Sequence, residues 1–218
     1  SNHTCAVDST ERIRCWGDDT AGKSSPPFDR FIAVSAADGH ACGVTHTGTV
    51  RCWGTDDYGE SSPPVGDGYV SVTTGSHHSC ALHSSGSVDC WGYGDEGATS
   101  PPASASFVQV SAGGYHTCGI KTDGTAHCWG RVRGAAMPSG ALSYDDLSAG
   151  FAYTCAIATE GDLLCWGEGD FSDVPAGSTP FTDISAAEFH TCTVDALGQA
   201  QCWGRDASGE STIPTPIP

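Results

Sequence analysis

Along residues 116–130, HTCGIKTDGTAHCWG, apolar and polar positions alternate on both sides of a polar triplet. Cys118 and Ile120 precede Thr122-Asp123-Gly124, and Ala126 and Cys128 follow it. A period of two marks a strand with one buried face. Two such runs around a short glycine-ended loop predict a β-hairpin. A three-residue loop ending in a left-handed Gly is a favoured connection. It pairs Lys121 with Thr125 and, two pairs further out, sets Cys118 against Cys128. In a non-hydrogen-bonded pair the Cα atoms lie about 4.5 Å apart, which is within disulfide range.

The pattern occurs six times: HTCAVDSTERIRCWG (3–17), HACGVTHTGTVRCWG (40–54), HSCALHSSGSVDCWG (78–92), HTCGIKTDGTAHCWG (116–130), YTCAIATEGDLLCWG (153–167) and HTCTVDALGQAQCWG (190–204). The leading cysteines, 5, 42, 80, 118, 155 and 192, are 37 or 38 residues apart. Such a period means one supersecondary module stacked on itself. Gly48, Gly86, Gly161 and Gly198 match the turn position of Gly124. The first copy departs, with Ser9-Thr10-Glu11 and no Gly. On the hairpin's second face a small residue (Ala6, Gly43, Ala81) opposes a varied one (Arg14, Arg51, Asp89), and Trp129 and its equivalents lie there too. Packing of each Trp over the small residues of the next sheet is the simplest use of that asymmetry.

Between hairpins, polar loops such as GTDDYGESSPP lead to short apolar segments, FIAVSA, YVSVTT, FVQVSA and FTDISA. Proline near the loop's end suits an outer edge strand. The count is then four strands per unit, and six radial four-stranded units make a β-propeller. The expected fold is an all-β, six-bladed propeller of four-stranded antiparallel blades with one disulfide per blade. It forms a single domain over 1–218, with repeats at about 1–30, 31–68, 69–106, 107–143, 144–180 and 181–218. The first repeat starts at His3 and lacks an inner strand. The C-terminal ESTIPTPIP or a partner is expected to supply it, or the blade stays incomplete.

Charge narrows the partners. The formal net charge is −17, with only nine Lys and Arg. Nucleic acid and anionic lipid are excluded as partners, because both need basic side chains to displace counterions. No apolar run of about 18 residues is present to span a membrane. No signal peptide is visible ahead of the first motif, so a secreted protein would be present in its mature or trimmed form.

All twelve cysteines fall in the motif: Cys5, Cys15, Cys42, Cys52, Cys80, Cys90, Cys118, Cys128, Cys155, Cys165, Cys192 and Cys202. Nine intervening residues across a hairpin suit a disulfide better than a zinc site, which draws on closely spaced ligands. Trp16, Trp53, Trp91, Trp129, Trp166 and Trp203 read as structural. So do His3, His40, His78, His116 and His190, with Tyr153 in the fifth copy. Each is expected to bond a backbone carbonyl and lock the corner into the hairpin. A shared metal ion is disfavoured, since blade corners lie far apart and Tyr does not ligate zinc. No metal or other cofactor is expected.

The acidic loops, Asp18-Asp19, Asp56-Asp57, Asp95-Glu96 and Asp170, lack the Asp-x-Asp-x-Asp-Gly pattern of a calcium loop. Exposed aromatic and charged residues on loops over a rigid scaffold are interface candidates. Asp56, Asp57, Tyr58, Tyr93, Arg131, Arg133 and Phe171 are therefore the candidate binding residues. No nucleophile elbow, HExxH or phosphate-cradling loop occurs, so no enzyme is expected.

The run VSAGGYHTCGIKTDGTAHCWG, with its strand, Gly pair, His, hairpin and Trp-Gly, resembles repeats of the regulator of chromosome condensation family. The resemblance covers nearly the whole chain. It is to the bacterial, secreted, cysteine-bearing branch more than to the nuclear exchange factor. It implies a propeller whose VSA strand lines the axis. The expected function is a secreted, non-enzymatic propeller serving as a protein-binding or interaction module. Its partner would be another protein or a surface polymer. The alternatives are a carbohydrate-binding or adhesion module, or a structural subunit of an extracellular assembly that self-assembles through the incomplete first blade. The expected location is secreted or extracellular, at the cell surface or in the periplasm.

Overall fold

The computed structural model describes residues 2–132, 134, 136–138, 142–169, 174–175, 180–207 and 209–213. The candidates Arg133 and Phe171, and with them Asp170, lie outside the described residues. Among the described residues, seventeen strands form six separate antiparallel sheets. Blade one holds β1 (His3–Val7) and β2 (Ile13–Gly17). Blade two holds β3 (Phe31–Ala36), β4 (His40–Thr45) and β5 (Val50–Gly54). Blade three holds β6 (Tyr69–Thr74), β7 (His78–His83) and β8 (Val88–Gly92). Blade four holds β9 (Phe107–Ala112), β10 (His116–Lys121) and β11 (Ala126–Gly130). Blade five holds β12 (Tyr144–Ala149), β13 (Tyr153–Ala158) and β14 (Leu163–Gly167). Blade six holds β15 (Phe181–Ala186), β16 (His190–Asp195) and β17 (Ala200–Gly204). No helix of the described residues is long and apolar enough to cross a membrane.

The hairpin register is the one the glycine turn dictates. Lys121 N donates to Thr125 O at 2.9 Å, and Cys118 pairs with Cys128. The turn glycines have φ between +77° and +87°. In blade one Glu11 takes that left-handed position at φ +63°. Asp8 supports it, its Oδ1 accepting the Thr10 and Arg12 amides. All six cysteine pairs are disulfides within their own hairpins, with Cα–Cα distances of 4.0–4.1 Å.

Among the described residues the blades are three-stranded, not four-stranded, and blade one has two strands. The Ser-Pro-Pro loops do not form an outer strand. Their backbone is held by their own side chains instead. Asp56 Oδ1 accepts the Ser61 amide at 2.8 Å, Asp56 Oδ2 accepts the Ser62 hydroxyl at 2.7 Å, and Ser61 Oγ donates to Thr55 O. Asp19 and Asp206 cap their loops in the same way. A segment turned on an Asp side chain and ended by prolines has few N–H groups free for a ladder.

Five hydrophobic clusters join successive blades. In each, the Trp of one blade packs on the cysteine face of the blade before it. Trp129 lies with Cys80, Leu82 and Val88, and Trp166 with Cys118, Ile120 and Ala126. This corrects the expected Trp-over-small-residue contact. The small position is filled by the aromatic residue that opens the same blade's inner strand. A Cβ on Gly43 would stand 2.7 Å from Phe31, and one on Gly119 2.6 Å from Phe107. The indole N–H groups of Trp53, Trp91 and Trp129 donate to loop carbonyls of the preceding blade, Lys23, Glu60 and Ala98, at 2.9–3.0 Å.

Neighbouring inner strands are stapled by hydroxyls. Thr74, Ala112, Ala149 and Ala186 amides donate to Ser35, Thr73, Ser111 and Ser148 at 2.8–3.1 Å. Among the described residues no hydrophobic cluster joins blade six to blade one. Trp16 is 56% exposed, whereas Trp53, Trp129, Trp166 and Trp203 are buried and Trp91 is partly so.

Candidate functional site

One backbone contact recurs at every corner. The residue after each Trp-Gly donates its N–H to the carbonyl of the residue before the corner His or Tyr. The pairs are Asp18 to Asn2, Thr55 to Gly39, Tyr93 to His77, Arg131 to Tyr115, Glu168 to Ala152 and Arg205 to Phe189, all at 2.8–2.9 Å. The Trp-Gly glycine makes this possible, with φ between +86° and +110°. A Cβ on Gly130 would meet the Tyr115 carbonyl at 2.8 Å. Six such pairs place twelve variable positions on one face. There the copies differ.

Aromatic residues at and near these positions form a continuous arc. Tyr58 meets Tyr93 edge-on at 5.0 Å between centroids and His77 at 5.3 Å. His77 lies 6.1 Å from Tyr115, Tyr115 5.5 Å from Phe151, and Phe151 6.0 Å from Phe189. The arc thus runs from blade two to blade six. Arg131 lies over Tyr115 at 5.8 Å and Arg205 over Phe189 at 5.5 Å. Beside the arc, at the axis, opens a cavity of about 580 Å³ whose lining includes Asp38, Ser76, Phe151, Phe189, Arg205 and Glu210.

Three of the candidates read from sequence belong to this arc: Tyr58, Tyr93 and Arg131. Asp57 is exposed beside Tyr58. Asp56 is spent on capping its own loop. The sequence pattern alone does not single out His77, Tyr115, Phe151, Phe189 or Arg205. The available signal was positional: His77, Tyr115 and Phe189 sit just before the corner His, Arg205 just after Trp-Gly, and Phe151 two residues before Tyr153.

The corner histidines are wired to the next blade. His40 Nε2 is 2.8 Å from Ser79 Oγ, His78 Nε2 2.9 Å from Thr117 Oγ1, and His116 Nε2 2.8 Å from Thr154 Oγ1. Tyr153 OH keeps the link with Thr191 at 2.8 Å. For these three histidines the partner is a hydroxyl on the following blade and not the expected carbonyl, whereas Tyr153 OH also donates to the His190 carbonyl at 2.8 Å. Ala41 stands where the hydroxyl matching His3 would be. Burial holds His40 and His116 down to about 4 and His78 to about 3, so all three are neutral at pH 7. Among the described residues no cluster of three or more His, Cys, Asp or Glu is placed to hold a metal.

The comparisons with known proteins agree with this architecture. The entire ectodomain of the receptor kinase CR4 from Physcomitrella patens is 28% identical, with a TM-score of 0.79 over 100% of this chain and 61% of that one. The chain thus spans less than two thirds of that ectodomain. The CRINKLY WD40 ectodomain of the Arabidopsis thaliana receptor kinase ACR4 is 29% identical, with a TM-score of 0.80 over 98% of this chain and 79% of that one. Yeast RCC1 (Prp20), solved bound to Kap60, shares the fold at 16% identity and a TM-score of 0.76, over 94% of this chain and 68% of that one. No curated protein matches the chain in sequence. The family model for the regulator of chromosome condensation (RCC1) repeat matches residues 31–60, 69–98, 107–131 and 144–172, more than half of the chain. The chain belongs to the RCC1 repeat family.

Proposed function

We propose that this propeller is a non-enzymatic protein-binding module that works outside the cell, through the face carrying the aromatic arc. The observation that carries the reading is the arc itself. Six aromatic or imidazole rings from five blades, with two stacked arginines, form one contiguous and asymmetric surface. Interfaces concentrate their energy in aromatic and Arg side chains of this kind. A rigid scaffold of stapled blades holds those side chains in place before binding, which limits the entropy lost on association. The six disulfides suit an oxidising compartment, and two similar structures are receptor ectodomains. The arc's residues differ from blade to blade, which suits one large partner better than a repeated sugar pocket.

The test is affinity capture from the extracellular fluid of the source cells. Wild type is compared with a Tyr115→Ala/Phe189→Ala variant of unchanged thermal stability. Loss of the captured protein by the variant supports the reading. Equal recovery by both overturns it.

A second reading, a subunit of an extracellular assembly, is favoured by Trp16. Its indole is exposed where every other Trp is at least partly covered by the preceding blade. Mass measurement at high concentration tests it. A strict monomer, unaffected by Trp16→Ser, would sink it.

A further inference from the structure

The arc has two kinds of segment. At blades four and six its rings already carry a cation from this chain, Arg131 over Tyr115 and Arg205 over Phe189. Arg131 is itself neutralised by Glu96 at 3.6 Å, and Arg205 lies 3.9 Å from Glu210. The segment between blades two and three is built differently. Tyr58, His77 and Tyr93 form a triangle of rings at 5.0, 5.3 and 6.5 Å, with no Lys or Arg of the described residues stacked on it. Its surroundings are acidic. Asp56 and Asp57 immediately precede Tyr58, and Tyr93 OH donates to Asp95 Oδ2 at 2.7 Å. Among the described residues none of these three carboxylates is ion-paired, although other acids of the chain are.

The triangle is also anchored. Tyr58 N donates to Glu60 Oε2 at 2.7 Å, and Glu60 is only 1% exposed. The Glu60 carbonyl in turn accepts the Trp91 indole N–H. Tyr58 itself is 52% exposed, so the ring that reaches solvent stands on a fixed base.

Ring faces attract cations through their quadrupole, more strongly when carboxylates lie close by and water is excluded. The same arc shows that its rings accept guanidinium groups. We propose that the Tyr58–His77–Tyr93 triangle receives an arginine or lysine side chain of the protein partner, with Asp57 and Asp95 as counter-charges. This rests on the arc being a protein-binding face. It adds the chemistry of the group that docks at one end.

The probe is a twelve-residue Gly-Ser peptide carrying three arginines, compared with the same peptide carrying citrulline, a neutral isostere, at those positions. NMR titration of the full chain reads the Tyr58, His77 and Tyr93 resonances. The arginine peptide is expected to shift these signals and to bind at least tenfold more tightly than the citrulline peptide. Tyr58→Leu/Tyr93→Leu leaves net charge unchanged, and is expected to weaken arginine-peptide binding at least tenfold. Glu188→Gln, which removes a charge beside Phe189 at the blade-six end of the arc, is expected to leave it within twofold. Equal binding by the double variant, or shifts spread evenly over the acidic surface, would overturn the proposal. So would partner capture that survives Tyr58→Leu/Tyr93→Leu but not Tyr115→Ala/Phe189→Ala; the arc would then stand as the binding face without a cation pocket.

Discussion

Arg205 donates its backbone N–H to the Phe189 carbonyl at 2.8 Å and lays its guanidinium over the Phe189 ring at 5.5 Å. The first contact is common to all six repeats. The second belongs to this pair's side chains. The repeat thus supplies a fixed mount, and the variable residues mounted on it supply the recognition surface. Arg131 and Tyr115 repeat both contacts one third of the way back along the chain.

The wired histidines make stability sensitive to acid. His40, His78 and His116 are held at about 4, 3 and 4 when folded, against an ordinary value of 6.5. The unfolded chain therefore binds protons first. Their stabilising contribution is complete above pH about 6.5 and is lost as pH falls toward 4, by up to about 1.4 kcal/mol per pH unit for each His. Urea midpoints measured at pH 7.5 and pH 5 should fall accordingly. His78→Gln should shrink the drop; an unchanged pH slope in that variant would contradict the assignment.

Reduction should be graded by position. Cys42, Cys80, Cys118 and Cys155 are fully buried, whereas both members of Cys5–Cys15 and Cys192–Cys202 are partly exposed at the two ends. Limited reduction followed by thiol labelling and mass mapping should open those two end pairs first. Replacing Cys118 and Cys128 together by Ala should cost about 2–3 kcal/mol, as expected for a short closed loop.

The six tryptophans are not equivalent. Trp129→Ala removes the ring packed on Cys80 and Leu82, and should cost about 3–5 kcal/mol. Trp16→Ala removes an exposed ring and should cost less than about 1 kcal/mol. Denaturant unfolding of both variants checks the contrast. Equal losses would mean that blade one's Trp face is covered in solution.

Gly119 has no room for a side chain. A Cβ would stand 2.6 Å from Phe107 Cδ1 and 2.8 Å from the Gln109 carbonyl. Gly119→Ala should destabilise by about 1–3 kcal/mol through overpacking. Adding Phe107→Leu should recover part of that loss if the ring is the obstacle. Thermal melts of the single and double variants separate the two cases.

What the chain determined on its own is the hairpin. The turn residues, the alternation and the nine-residue spacing all act within about fifteen residues, so local geometry fixed the Cys118–Cys128 register and its five copies. Even Glu11, without a glycine's freedom, follows that rule because Asp8 caps the turn. The strand count per blade is three among the described residues, where the prolines predict four. Prolines marked where an edge strand could run, yet Asp56 and its equivalents turned those loops on side-chain hydrogen bonds. The direction of Trp packing, the histidine-to-hydroxyl links and the aromatic arc were decided only by tertiary structure. Phe151 and Phe189, or His78 and Thr117, lie 38 and 39 residues apart and meet only because one blade stacks on the next. A repeat fixes which positions face each other. The stacking of unlike copies decides which side chains meet there, and that is a property of neighbouring blades and not of any one stretch of sequence.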